Sequence, residues 1–180
     1  MPYTLDEFCR DCRDALAADP GPGGREAVRR HLERLLANRA FVAETLGPEA
    51  APGAHTLYRD PEFDFVVLAH VNETAHRSPP HDHGSSWAVY GQAAGYTEMT
   101  EYRRTDGGSG AGRAALERLR TYRLTPGKAG RYDVGDIHAI DYPDKARFVR
   151  VTGTDLAQVE RLKYDTAAGQ AVVIENASAS

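Results

Sequence analysis

The sequence predicts an all-β fold, a sandwich or barrel, preceded by a helical N-terminal segment. Three observations carry that reading. Apolar residues recur at helical spacing up to Leu46 and then lose that period. From residue 56 the chain divides into short runs rich in β-branched and aromatic residues, at 56–59, 63–71, 86–92, 95–103, 116–124, 130–132, 137–142, 147–151 and 159–164. Turn formers such as Asp60-Pro61, Thr125-Pro126-Gly127 and Pro143-Asp144 separate those runs.

Taken in order, Thr4 followed by Glu7 is a capping box, which sets a first helix over 5–18. The stretch 19–24, Asp-Pro-Gly-Pro-Gly-Gly, breaks it. A second amphipathic run carries Val28, Leu32, Leu35 and Leu36 and continues through Phe41, Val42 and Leu46, with Asn38 marking a break. This segment, 4–47, reads as a two- to three-helix layer lying against something else. The many short strands of 55–165 then make the barrel. Residues 106–113, DGGSGAGR, form a flexible hairpin tip, because strand-like sequence resumes on both sides. The tail 176–180 is expected to be disordered, and the whole of 1–180 is expected to be one domain.

Composition excludes several classes. A net charge of −4 gives no reason to expect nucleic acid as a partner. No apolar stretch reaches the ~18–20 residues that span a bilayer, so no membrane partner is expected. The acidic start MPYTLDEFCRDCRD lacks the apolar core of a signal peptide, and the expectation is a soluble, cytoplasmic protein. The only cysteines, Cys9 and Cys12, form a C-x-x-C pair. They share helical spacing with Leu5, Phe8 and Leu16, so a buried helical stripe is the reading favoured over a redox or zinc role, which lacks partner cysteines.

The chemistry-bearing motif is Pro79-Pro80-His81-Asp82-His83-Gly84, answered later by Gly135-Asp136-Ile137-His138. Histidines at i and i+2 project to one face of an extended strand. A third imidazole from a distant strand completes a facial set of three nitrogen donors, leaving open positions on a metal. The competing reading is surface histidines beside a turn, since Pro-Pro and His-Gly form loops.

These residues resemble the cupin superfamily, whose double-stranded β-helix (jelly-roll barrel) binds metal through two motifs. The first is H-x-H, usually a glutamate, then a glycine. Here it reads His81-Asp82-His83, then Ser85-Ser86-Trp87-Ala88, then Gly91 and Gly95. The second, P-x-G-x-x-H, reads Asp133-Val134-Gly135-Asp136-Ile137-His138, with Asp133 in the proline slot. Trp87 and Ala88 stand where the acidic ligand is expected, leaving three histidines without a carboxylate. That pattern resembles the thiol dioxygenase branch, which contains cysteine dioxygenase and mercaptopropionate dioxygenase. The resemblance covers 4–165 and includes the N-terminal helices, the Tyr58-Arg59 strand and the tryptophan after H-D-H. The sequence also matches a set of bacterial cupins with HDHG…W…YGQ…G…T and no assigned activity. It departs from the branch at the Ser-x-His-x-Tyr triad, where Phe148, Arg150 and Thr152 occupy the three slots.

The resemblance implies His81, His83 and His138 as metal ligands and Arg59 as an anchor for a substrate carboxylate, with a surface salt bridge as Arg59's alternative. An arginine inside a barrel needs an anion. Arg150 therefore binds a substrate carboxylate or pairs with an internal acid such as Asp141 or Glu98. Tyr142, four residues beyond His138 on the same strand face, is placed to donate a proton or hydrogen bond. Trp87 walls the pocket or belongs to the core, and Gln92 is a candidate polar pocket residue. Tyr90, Tyr96 and Tyr102 recur at six-residue spacing, so at most two share the pocket; Tyr96 is the one taken as substrate-binding. Asp82 and Asp136 are read as turn stabilisers in preference to partners of the ligands, and His70 and His76 as structural in preference to a fourth ligand.

Neutral imidazoles suit iron, nickel, zinc or copper, so ligand type alone does not choose. Fe(II) is the expected metal, because adjacent open positions admit a bidentate substrate and dioxygen (O2) together. The expected function is a mononuclear non-haem iron dioxygenase, an oxidoreductase acting on a small thiol or organic acid. The alternatives are a metal-dependent isomerase, lyase or hydrolase, and a non-catalytic small-molecule-binding protein. A homodimer paired through strand edges stays open.

Overall fold

The structure is a computed structural model and describes residues 2–175; the tail at 176–180 lies outside the described residues. Three helices come first, α1 (Leu5–Ala18), α2 (Pro22–Leu36) and α3 (Arg39–Leu46). Strands follow at β1 (Gly53–Arg59), β2 (Val66–Val71), β3 (His76–Arg77), β4 (Ala88–Ala94), β5 (Thr97–Arg104) and β6 (Gly112–Arg113). The last six are β7 (Leu116–Leu124), β8 (Ala129–Tyr132), β9 (Ile137–Tyr142), β10 (Arg147–Thr152), β11 (Leu162–Asp165) and β12 (Gln170–Val173).

The helix starts follow their caps. Thr4 Oγ1 accepts from Glu7 N at 3.2 Å while Glu7 Oε2 accepts from Thr4 N at 2.7 Å, so two otherwise unpaired donors are satisfied. The break after α1 is shorter than 19–24, because Pro22 sits in the first turn of α2, where a missing N–H costs nothing. Asn38 Oδ1 caps α3 by accepting from Ala40 N and Phe41 N.

Hydrogen bonding orders one sheet β1-β2-β10-β4-β8 and the other β3-β9-β5-β7, with every pairing antiparallel. From β2 to β5 successive strands alternate between the two sheets, and β8, β9 and β10 do so again. This is the strand order of a double-stranded β-helix, or jelly roll. A third small sheet, β11-β12-β6, covers the outer face of the second sheet.

Strand parity sorts the core into layers. Val67, Ala69, Val149 and Val151 turn outward from the first sheet and pack with Phe8, Val28, Leu32 and Leu35 of the helices. Each such side chain removed from water contributes about 1.5–3 kcal/mol. Gly91 permits this contact, because a Cβ there would lie 2.6 Å from Leu36 and 2.7 Å from Leu32. Between the sheets lie Ala88, Tyr90, Met99, Leu124, Tyr132 and Phe148. Cys9 and Cys12 are buried in the helical layer, and burial pushes the Cys9 thiol up to about 12, which fits the structural reading of the pair.

Asp60 fixes the helical layer to the barrel. Its carboxylate accepts from Arg13 Nε at 3.0 Å, Arg13 Nη2 at 2.9 Å, Tyr58 Oη at 3.0 Å, Glu62 N at 2.9 Å and Phe63 N at 2.8 Å. Burial alone would raise its pKa, but these donors outweigh burial and hold it below the usual carboxylate value.

Two strand expectations changed. The glycine-rich stretch 106–113 is a loop only in part: Gly112–Arg113 pairs with Gln170 and Ala171 of β12. His81 and His83 lie outside any named strand, His81 being an isolated bridge to His138 and Lys163. Pro79 and Pro80 lack N–H donors, so the ladder that β3 begins on β9 lapses before His81. Among the described residues no helix is long and apolar enough to cross a membrane.

Candidate metal centre

The H-D-H segment is sewn on both sides. His81 N donates to His138 O at 2.9 Å and His138 N returns to His81 O at 3.0 Å. On the other side, Asp82 N donates to Leu162 O and Tyr164 N to Pro80 O. Extended backbone sends His81 and His83 to one side and Asp82 to the other. Asp82 is buried, and its carboxylate accepts from Gly84 N, Leu162 N and Tyr164 Oη, each at 3.0 Å. It therefore joins the ligand segment to β11, a longer reach than the turn expected of it. Asp136 does hold its turn, accepting from Asp133 N at 2.7 Å. Gly84 is required for the exit turn, having φ +60° and no room for a Cβ, which would lie 2.0 Å from Glu160 O.

The structure brings His81, His83 and His138 together, with one ring nitrogen from each within 4.8 Å of the others. Ring centroids are 4.7 Å apart for His81–His138, 4.9 Å for His83–His138 and 5.6 Å for His81–His83. His83 and His138 are buried, at 1% and 0% exposure. Burial is the main force lowering all three pKa values; His81 lowers His83 further, both lower His138, and the Arg150 charge acts on each. They are accordingly neutral, the form that binds metal.

Ring nitrogens account for themselves only if something else is bound. His81 Nδ1 donates to Pro79 O at 3.1 Å, which leaves its Nε2 as the free lone pair. His83 Nδ1 and both nitrogens of His138 are buried with no hydrogen-bond partner. Buried unpaired polar atoms are costly, and one lone pair from each of the three imidazoles suits one divalent metal ion. Three imidazoles of this kind can hold a metal ion.

The other candidate residues divide. Arg150 lies on the inner face of β10 opposite Tyr90 and Leu68. Its Nε is buried without a partner, and it makes no ion pair among the described residues. The acids offered as internal partners are elsewhere: Asp141 pairs with Arg77 at 3.6 Å and Glu98 with Arg123 at 3.2 Å, both on the opposite face of their sheet. Arg150 instead borders a cavity of about 340 Å³ lined also by Arg59, Leu68, Thr152 and Arg161. Arg59 stands there half exposed, paired with Asp155 at 2.7 Å.

Four residues do not join the imidazoles. Trp87 turns outward into the hydrophobic layer beneath the helices. Gln92 faces inward, but its amide is consumed by Ala94 O at 2.7 Å and Thr97 Oγ1 at 2.8 Å. Tyr96 lies in the β4–β5 turn under the Arg123 guanidinium, 4.2 Å from its ring centroid. Tyr142 shares the His138 face, yet four residues of strand place it ~13 Å along β9. There its hydroxyl donates to Asn72 Oδ1 at 3.2 Å.

Sequence reading passed over Tyr90 in favour of Tyr96. Tyr90 Oη meets His83 Nε2 at 3.2 Å, and Tyr132 lies against His138 with centroids 4.1 Å apart. The signal was available: Trp87 is an odd neighbour of Val89, so Ala88 and Tyr90 share the opposite face.

His70 is structural. Its ring stacks on Phe148 at 4.6 Å, with Nε2 buried and unpartnered. Burial, then Arg150 and His55, lower its pKa from 6.5 to about 3. The unfolded chain therefore binds this proton first. Stability from this group is intact above pH 6.5 and is lost as pH falls from 6.5 toward about 3. Urea titrations across that window should show His70→Leu losing up to ~1.4 kcal/mol less per pH unit than wild type.

No family model matches the chain, and no curated protein matches it. Among solved structures it is similar to the Schizosaccharomyces pombe Cnp3 cupin domain, at 13% identity over 60% of this chain and 66% of that one, TM-score 0.45. It is similar also to KdgF from Halomonas sp., at 14% identity over 55% and 76%, TM-score 0.41. A third is the DMSP lyase DddQ from Ruegeria pomeroyi DSS-3, at 16% identity over 56% and 45%, TM-score 0.39. The chain thus spans just under two thirds of the first of these and less than half of the third. Its own hydrogen-bonded strand order makes it a double-stranded β-helix with a buried three-histidine cluster inside.

Proposed function

We propose that the chain is a mononuclear non-haem iron dioxygenase acting on a small organic acid or an acidic thiol. The observation that carries this reading is three buried imidazoles with no carboxylate among them; Arg150, which makes no ion pair among the described residues, lines a cavity that none of the three borders. His81, His83 and His138 would hold the metal; ferrous iron in that set supplies oxygen activation. Arg150 binds the carboxylate of the substrate and turns its other end toward the imidazoles, and Arg59 borders the same cavity. Phe148, Tyr90 and Tyr132 wall the interior and keep water out. Small molecules and O2 are then its partners.

Oxygen-electrode assays on iron-loaded protein with thiol acids, hydroxy acids and diketones test the reading. Oxygen uptake should appear with a carboxylate-bearing substrate, and Arg150→Gln should raise KM at least ~10-fold, about 1.4 kcal/mol of lost charge-assisted hydrogen bonding. Turnover without oxygen uptake would replace this activity with a metal-dependent lyase, isomerase or hydrolase.

A further inference from the structure

Tyr90 reaches the imidazole set from β4, a strand that carries none of the three histidines. Its ring is 3% exposed and is fixed by Tyr132 and Phe148, at centroid distances of 5.7 and 5.8 Å. The hydroxyl oxygen is held 3.2 Å from His83 Nε2. Two donors each ~2.0–2.2 Å from one ion, at 90–109° to each other, lie about 2.8–3.6 Å apart. The Tyr90–His83 separation falls in that interval and at the long end of the ~2.7–3.2 Å range of N–H···O hydrogen bonds.

We propose that the Tyr90 hydroxyl oxygen is a fourth protein donor to the metal. This rests on reading the histidine cluster as a metal site. Coordination releases the hydroxyl proton to solvent and adds one negative charge to an otherwise neutral donor set.

The test uses the full chain loaded with ferric iron, with metal content measured, and reads visible absorption and resonance Raman scattering. Wild type should show a tyrosinate-to-iron charge-transfer band. Tyr132→Phe should retain it, and Tyr90→Phe should lose it while still binding iron. Competition with a chelator should show zinc bound more than ~100-fold more weakly by Tyr90→Phe, beyond the ~10- to 100-fold expected of a partner that only supports His83. Iron bound by wild type without the band, or a band that survives Tyr90→Phe, overturns the proposal and leaves the histidine site standing. A wild-type chain that binds no metal overturns both. The wild-type spectrum decides even if Tyr90→Phe folds poorly, which its thermal melt reports.

Discussion

His83→Ala abolishes stoichiometric metal binding and leaves the barrel folded. The imidazole is 1% exposed and contributes one of three converging donors, so its loss leaves a two-histidine remnant with no carboxylate to replace it. Affinity should fall by more than the ~10- to 100-fold typical of losing a supporting partner alone. Folding should survive, because His83 Nδ1 is buried without a partner and its removal relieves a desolvation cost that offsets the cavity. Elemental analysis after dialysis checks the first outcome. The second has a sharper readout: zinc at a thousand times Kd should stabilise wild type by about 4 kcal/mol and His83→Ala by almost nothing. Retained stoichiometric metal in the variant would remove these histidines as the site.

The largest loss of stability is expected at Asp60, far from the imidazoles. Asp60→Ala deletes an acceptor serving Arg13, Tyr58 and two backbone N–H groups at once. Arg13 is partly exposed and regains water, but Glu62 N and Phe63 N lose their partner at the turn between β1 and β2. The expected cost is about 3 kcal/mol. For a chain of 180 residues that corresponds to a drop in Tm of about 6–12 °C. Asp60→Asn should recover part of it, since its amide oxygen still accepts from the turn. A melt of the alanine variant within 2 °C of wild type, by ~1 kcal/mol, would show the network to be dispensable.

Much of the fold was legible because turn chemistry brackets it. β7 and β9 have the expected limits, being bounded by Pro-Gly, Gly-Asp and Pro-Asp pairs that end strands for steric reasons. The two-residue strands β3 and β6 were missed because neither has enough length for a period. β12 was missed because its partner β6 hides in a glycine-rich stretch. At the site, spacing identified the three histidines, and period two correctly gave the inner face to Arg150 and Tyr142. Parity does not report depth along a strand, and this is why Tyr142 shares a face with His138 but stands a long way from it. Trp87 takes the core place that was one of its two readings, and Tyr96 misses the pocket for a different reason. Trp87 is the outward neighbour of an inward position, whereas Tyr96 sits in a turn where alternation no longer applies.

The double stitching of the H-D-H segment has a consequence for the order in which the molecule assembles. His81 meets its backbone partners only when residue 138 has arrived, and Asp82 meets its own only with Leu162 and Tyr164, 80 and 82 residues downstream. Contacts of such sequence separation form late, after the entropy of closing long loops has been overcome. A nascent chain lacking β11 has all three imidazoles but only one of the two seams that hold the H-D-H segment. Such an intermediate has floppy, low-affinity donors, so the competent centre appears only once the last strands dock.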